Sequence, residues 1–257
     1  MTSPFQLQFA TYTFPNQTFQ IDDHRLDIDT PIEDIRRYDG GVIQAGYLRP
    51  KKWRINGKIY GTDVGSVHNE LNTLKRSLHN KGLGASFFYR SDRYAYAQLA
   101  PGGISAVPEK GLYEYLYNVD ILLVSDPFVE SITRSSESGS RSNSSEIDQV
   151  TVGGNFPTYP VFNFMAGTHN FNSAIRVDNL ANSFFFQFSG GLMAGQTLIV
   201  DCVAGCVLLQ VGLTMIDALS YFGGNLDFIL EPDGTNDVLI NAATLSYTIN
   251  FKNRWYI

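Results

Sequence analysis

The side chains best suited to metal or nucleophilic chemistry in this 257-residue sequence are two cysteines, four histidines and several clustered carboxylates. Cys202 and Cys206 occur in DCVAGCVLL, which reads as two strands around a turn. With Ala204-Gly205 as a two-residue turn, Val203 faces Cys206 and Cys202 faces Val207, so the thiols do not oppose each other. Two free, buried, structural cysteines are expected. His24, His68, His79 and His169 are scattered and have no zinc-ligand spacing with them. The acidic run IDDHRLDIDTPIEDI, residues 21–35, gathers Asp22, Asp23, Asp27, Asp29, Glu33 and Asp34 but lacks the spacing and the glycine of a calcium loop. Its interspersed Ile21, Leu26, Ile28, Ile32 and Ile35 suit a strand and turn with the polar side in water. Neither a metal nor a cofactor is expected.

Glu231 and Asp233 are a carboxylate pair, and glycoside hydrolysis needs two acids across a cleft. The run Glu231-Pro232-Asp233-Gly234, followed by Asn236, reads more simply as a tight reversal. No GxSxG elbow, GxGxxG or phosphate loop, and no HExxH helix occurs. No catalytic residue is assigned, and the expectation is a protein that is not an enzyme. The formal charge is -6, split between residues 1–131 (14 Lys and Arg against 15 Asp and Glu) and residues 132–257 (5 against 10). Neither half has the basic excess of a specific nucleic-acid binder. Arg49, Lys51, Lys52 and Arg54, with Lys58, form a local basic cluster, which a solvated strand face also explains.

These residues need elements to position them. The length suggests two domains, and 18 Phe and 14 Tyr favour strands. No apolar run approaches the roughly 20 residues of a membrane helix. The N-terminus MTSPFQLQF lacks the pattern of a secretory signal, so folding in the cytoplasm is expected. In WRINGKIYG, Trp53, Ile55 and Ile59 alternate with polar positions, as do Tyr113, Tyr115, Tyr117, Val119, Ile121 and Leu123 farther on, giving two strands with one buried face. Between them Val67, Leu71, Leu74 and Leu78 fall at helical spacing, with Ser66 as the expected cap and Gly82 as the stop, so a helix near 66–80 should pack on the sheet.

In SSESGSRSNSS, residues 135–145, seven of eleven residues are serine and none is apolar, which reads as an exposed loop or linker. Beyond it come VFNFM, AIRV, FFFQF, TLIVDC, VLLQV, LDFIL, VLI and LSYTINFK, eight short strand-like runs separated by turn residues. That spacing points to an antiparallel β-sandwich or jelly roll. The expected division is residues 1–134 as an N-terminal β-domain with one helix, 135–150 as the Ser-rich linker, and 151–257 as a C-terminal sandwich.

Several stretches, in order, resemble the distal tail proteins of long-tailed, non-contractile bacteriophages. In the first domain they are DGGVIQAGYLRPKKWRINGKIYG, NELNTLKRSL and YNVDILLVSDPFVE; in the second, GGNFPTYPVFNFMAG, GQTLIVDC, EPDGTNDVLI and INFKNRWYI. The resemblance implies a mainly β fold, an N-terminal β-domain with one packed helix plus a galectin-like sandwich. It further implies a hexameric ring of N-domains at the virion tail tip, assembled in the host cytoplasm. That ring would join the tail tube protein to the tip protein and to receptor-binding or fibre proteins, with Arg49, Lys51, Lys52 and Arg54 as a subunit or tube contact. An alternative is a carbohydrate-binding sandwich that holds host cell-wall glycans on exposed aromatics, although the chain has only two tryptophans, Trp53 and Trp255.

Overall fold

The computed structural model describes residues 7–14, 19–21, 50–79, 84–109, 116–140, 146–232, 234–242 and 244–256. The chain is mainly β and separates into two compact units at Val129/Glu130.

The N-terminal unit contains β1 (Gln8–Phe9), β2 (Tyr12–Thr13), β3 (Phe19–Ile21), β4 (Lys51–Tyr60), α1 (Val64–His79), β5 (Ala85–Phe88), β6 (Arg93–Pro108) and most of β7 (Leu116–Ser131). Its sheet runs in the order β2-β1-β5-β6-β7-β4-β3. The period-two reading holds where it can be followed: β4 lies antiparallel to β7 with Trp53 opposite Leu123 and Ile55 opposite Ile121, all four buried. The indole N–H of Trp53 donates to Ser125 Oγ at 2.8 Å, so the polar edge of this buried ring is satisfied.

The helix buries Val67, Leu71, Leu74 and Leu78, the four residues that the spacing selects, and packs on β4 and β6. Its start differs from expectation. Asp63 is the cap: its Oδ1 accepts the Ser66 N–H at 2.8 Å while its own N–H donates to Ser66 Oγ at 3.2 Å. This reciprocal pair places Ser66 at the third helical position. Gly82, Tyr113, Tyr115 and the acidic run beyond Ile21 lie outside the described residues.

The C-terminal unit is a sandwich of two antiparallel sheets. Its strands are β8 (Ser135–Ser140), β9 (Glu146–Val152), β10 (Val161–Ala166), β11 (Ile175–Asn179), β12 (Phe185–Phe188), β13 (Thr197–Asp201), β14 (Cys206–Val211), β15 (Thr214–Asp217), β16 (Phe222–Gly224), β17 (Gly234–Asn241), β18 (Leu245–Phe251) and β19 (Arg254–Tyr256). One sheet runs β15-β14-β13-β10-β18-β8, and the facing one β16-β12-β11-β17-β9. Phe162, Phe164, Phe186, Phe188 and Phe228 are fully buried between them. Phe162 meets Phe186 and Phe228 edge-to-face at centroid distances of 5.1 and 5.2 Å, geometry that adds to the roughly 1.5–3 kcal/mol each ring gains by burial.

Two expectations are corrected here. The serine-rich segment expected as a linker contains strands: Ser135–Ser140 pairs antiparallel with β18, from Ser246↔Ser140 to Phe251↔Ser135, and Glu146–Val152 pairs with β17. Pairing at an edge needs only backbone groups, so β8 forms without an apolar residue. Conversely, LDFIL is not a strand. Residues 226–227 turn, 228–229 are irregular, Leu230 makes a single bridge to Thr158, and Phe228 and Leu230 are buried in the core.

Candidate interaction surfaces

On β4 the side chains of the basic cluster separate. Lys52 and Arg54 are exposed and, two residues apart, share one face of the strand. Lys51 is half-buried, with Nζ 4.6 Å from the centre of the Trp53 ring, a cation–π contact. Lys58 forms an exposed ion pair with Glu109 at 3.0 Å. Arg49 lies outside the described residues.

Among the described residues the chemistry-bearing side chains are not gathered into one site. Residues 202–205 form the loop between β13 and β14, with Asp201 opposite Cys206 and Gly205 at φ +64°. The loop is therefore longer than a two-residue turn, because Asp201 Oδ1 accepts the N–H groups of Val203 and Ala204, both at 2.9 Å, and folds the chain around its own side chain. Both thiols are free. Cys202 is buried, as expected, whereas Cys206 is only half-buried, because its strand position faces outward. Burial, reinforced by the Asp201 carboxylate, pushes the Cys202 thiol up to about 12, far from a reactive thiolate. His68 lies near the Tyr117 hydroxyl, and His169 contacts Thr168. Among the described residues no group of three or more His, Cys, Asp and Glu is placed to hold a metal ion.

Glu231 belongs to a structural network that sequence reasoning missed. Asn179 and Asn236 are buried, and Asn179 Nδ2 donates to Ile229 O at 2.9 Å and to Asn236 Oδ1 at 3.2 Å. Asn236 Oδ1 also accepts the Glu231 N–H at 2.7 Å, while its Nδ2 donates to Glu231 O at 3.0 Å. Asn182 donates to Ile229 O at 3.2 Å and to Glu231 Oε1 at 3.1 Å. The asparagines replace the ladder that residues 226–231 lack, and Glu231 is bound into the fold. The reversal expected at Glu231-Pro232-Asp233-Gly234 includes Asp233, which lies outside the described residues.

A cleft of about 280 Å³ opens in the same unit, lined by Phe188, Met193, Gln196, Leu209, Ile216, Asp217 and Tyr221 among others. It contains one carboxylate, Asp217, where glycoside hydrolysis needs two. The aromatic groups with the largest flat faces do not lie bare for a sugar. Trp53 is buried against Phe87 and Tyr89, and Trp255 is half-buried.

The unit is closed by a clasp. The N–H groups of Asn155 and Phe156 donate to the Arg254 carbonyl at 3.2 and 3.3 Å, and the Tyr256 N–H donates to Asn155 Oδ1 at 2.7 Å. Gly154 adopts φ +95°, and a Cβ there would overlap the same Arg254 carbonyl, which explains the glycine. Close by, the Gly153 N–H donates to Asn253 Oδ1 at 3.0 Å and the Ser131 N–H to Asn253 O at 2.9 Å. Residues 153–255, from the first glycine of this clasp to its partner segment, match the family described as siphovirus-type tail component, C-terminal domain, of the SPP1 Dit type. The C-terminal unit is a tail-component domain of siphovirus type. The likeness of fold extends beyond this tail-component domain. The crystal structure of SPP1 Dit superposes with a TM-score of 0.67 over 97% of this chain and 98% of that one, at 13% identity. That protein is described as a paradigm of the hub adsorption apparatus in phages infecting Gram-positive bacteria. The phage P2 baseplate in its activated conformation with Ca aligns over 96% of this chain and 91% of that one, at 11% identity and a TM-score of 0.45, too weak to carry an argument. No curated protein matches the chain in sequence. The resemblance to distal tail proteins drawn from the residues is thus borne out.

Proposed function

We propose that the chain is the structural hub of a phage tail tip. Six copies form a ring that joins the tail tube protein to the tip protein and to receptor-binding or fibre proteins. The observation that carries this reading is the match of residues 153–255 to a tail-component domain, in a chain that shares the fold of SPP1 Dit over 97% of its length. The N-terminal unit supplies the ring. A closed ring repeats one head-to-tail contact, so each subunit must offer two different surfaces, and among the described residues the sheet of this unit ends in two different strands, β2 and β3. Arg49, Lys51, Lys52 and Arg54 then serve as a contact to a neighbouring subunit or to the tube. Such a role needs no catalytic group, and the protein acts at the virion tail tip after assembly in the host cytoplasm. Among the described residues no helix is long and apolar enough to cross a membrane.

Mass photometry of the purified chain, with two-dimensional electron-microscope averages, tests the proposal. The expected particle has six times the chain mass of 28.6 kDa and a central hole. A compact dimer would overturn it.

A further inference from the structure

At the end of the six-stranded sheet, β14 and β15 form a hairpin turned by Gly212-Leu213, with Val211 opposite Thr214 and Gly212 at φ +61°. Glycine in the first central position supplies the positive φ of a tight reversal, but nothing about such a turn requires an apolar residue in the second. Leu213 nevertheless stands there with a relative exposure of 103%. Met215 and Ile216 on β15 and Val211 on β14 are exposed beside it, and Met193 and Tyr221 are exposed at the rim of the adjoining cleft. A ridge and a groove, both apolar, are therefore contiguous on one side of the domain, which is the pattern of a docking surface.

The charge around this surface selects the partner. Between Arg176 and Lys252 the sequence has no Lys, Arg or His, whereas Asp201 and Asp217 lie in the sheet that bears the hairpin. Nucleic acid and anionic lipid would meet repulsion here; a protein that rims an apolar pocket with basic side chains would be attracted. Within the cleft Gln196 Oε1 accepts the Met193 N–H at 2.8 Å and Asp217 Oδ1 accepts the Leu219 N–H at 2.9 Å, so one oxygen of each side chain is engaged in holding the fold. We infer that the β14–β15 hairpin is a docking ridge for a different tail protein, one whose apolar pocket receives Leu213 and is rimmed by lysine or arginine. The inference rests on the tail-hub reading.

The test uses the full chain and its Leu213→Asp and Met215→Asp variants. Each of the other tail proteins encoded for the same virion is purified and titrated separately by biolayer interferometry, in low and in high NaCl. One of them is expected to bind, at least about tenfold more weakly to each variant and more weakly as salt rises, while the particle mass stays that of the ring. Both changed side chains are exposed, so an unchanged thermal midpoint serves as the control for folding. Binding that neither variant weakens overturns the docking ridge and leaves the hub reading in place. Loss of the ring in Leu213→Asp also overturns it, by assigning the surface to a second copy of the chain. Capture of phosphatidylglycerol vesicles or host-wall glycans that the variants abolish would overturn it too. If no tail protein binds the unmodified chain, the hub reading fails together with it.

Discussion

In the tail-component domain, two places hold side chains of the wrong polarity for their surroundings: Asn179 and Asn236 are buried, and Leu213 stands in water. Burying an amide is unfavourable unless its hydrogen bonds are replaced, and around the asparagines they are, by Ile229, Glu231 and each other. No comparable compensation surrounds Leu213, whose neighbours Val211, Met215 and Ile216 are exposed as well. The difference shows how an apparent misfit can be interpreted. One that the fold resolves internally belongs to stability, and one that it leaves open directs attention to what lies outside the chain.

The sharpest test of that distinction is Asn236→Ala. It strands the Glu231 N–H and the Glu231 carbonyl and removes one of the two acceptors of Asn179 Nδ2, so guanidinium unfolding should show a loss of about 3 kcal/mol. A loss under about 1 kcal/mol would mean that the network is decorative and the comparison false.

A smaller effect is expected at the loop where the closed and open sides meet, between buried Cys202 and half-buried Cys206. Burial raises the Cys202 thiol from 9.0 to about 12 in the folded chain. The folded state therefore keeps its proton after the unfolded state has released it. The associated stability is complete below pH 9 and declines as pH rises from 9 toward 12. By pH 10 about 1 kcal/mol should be gone, a loss that Cys202→Ala abolishes when the two chains are compared across the same pH series. In the same window a maleimide should label Cys206 well before Cys202, and equal rates would contradict the burial.

The smallest effect is on the stability of Leu213→Ser, which should stay within about 0.5 kcal/mol of the unmodified chain. A larger loss would show that the leucine is packed after all.

Much of this architecture is legible in the sequence because burial imposes a period. Leu71, Leu74 and Leu78 declare a helix, and Leu245, Tyr247, Ile249 and Phe251 declare a strand with one covered face. Legibility fails where burial does not set the pattern. The β8 segment pairs through its backbone while its serines carry no period, and all four residues of β15 are exposed, so neither edge leaves a signal. LDFIL misleads in the opposite way, since Phe228 and Leu230 are buried from an irregular segment. The asparagine network is illegible for a further reason: Asn179, Asn182 and Asn236 resemble ordinary turn residues until the folded chain brings them to Glu231. Leu213 was visible as an apolar residue after a glycine, but only the hairpin register shows that nothing covers it.

The clasp has a consequence for how a cut in the backbone would be felt. Arg254 and Tyr256 hold residues 155 and 156, and Asn253 holds Gly153 and Ser131. Cleavage after Lys252 would leave these partners joined by hydrogen bonds alone, so residues 153–156 should lose their protection from hydrogen exchange while the buried phenylalanines stay packed.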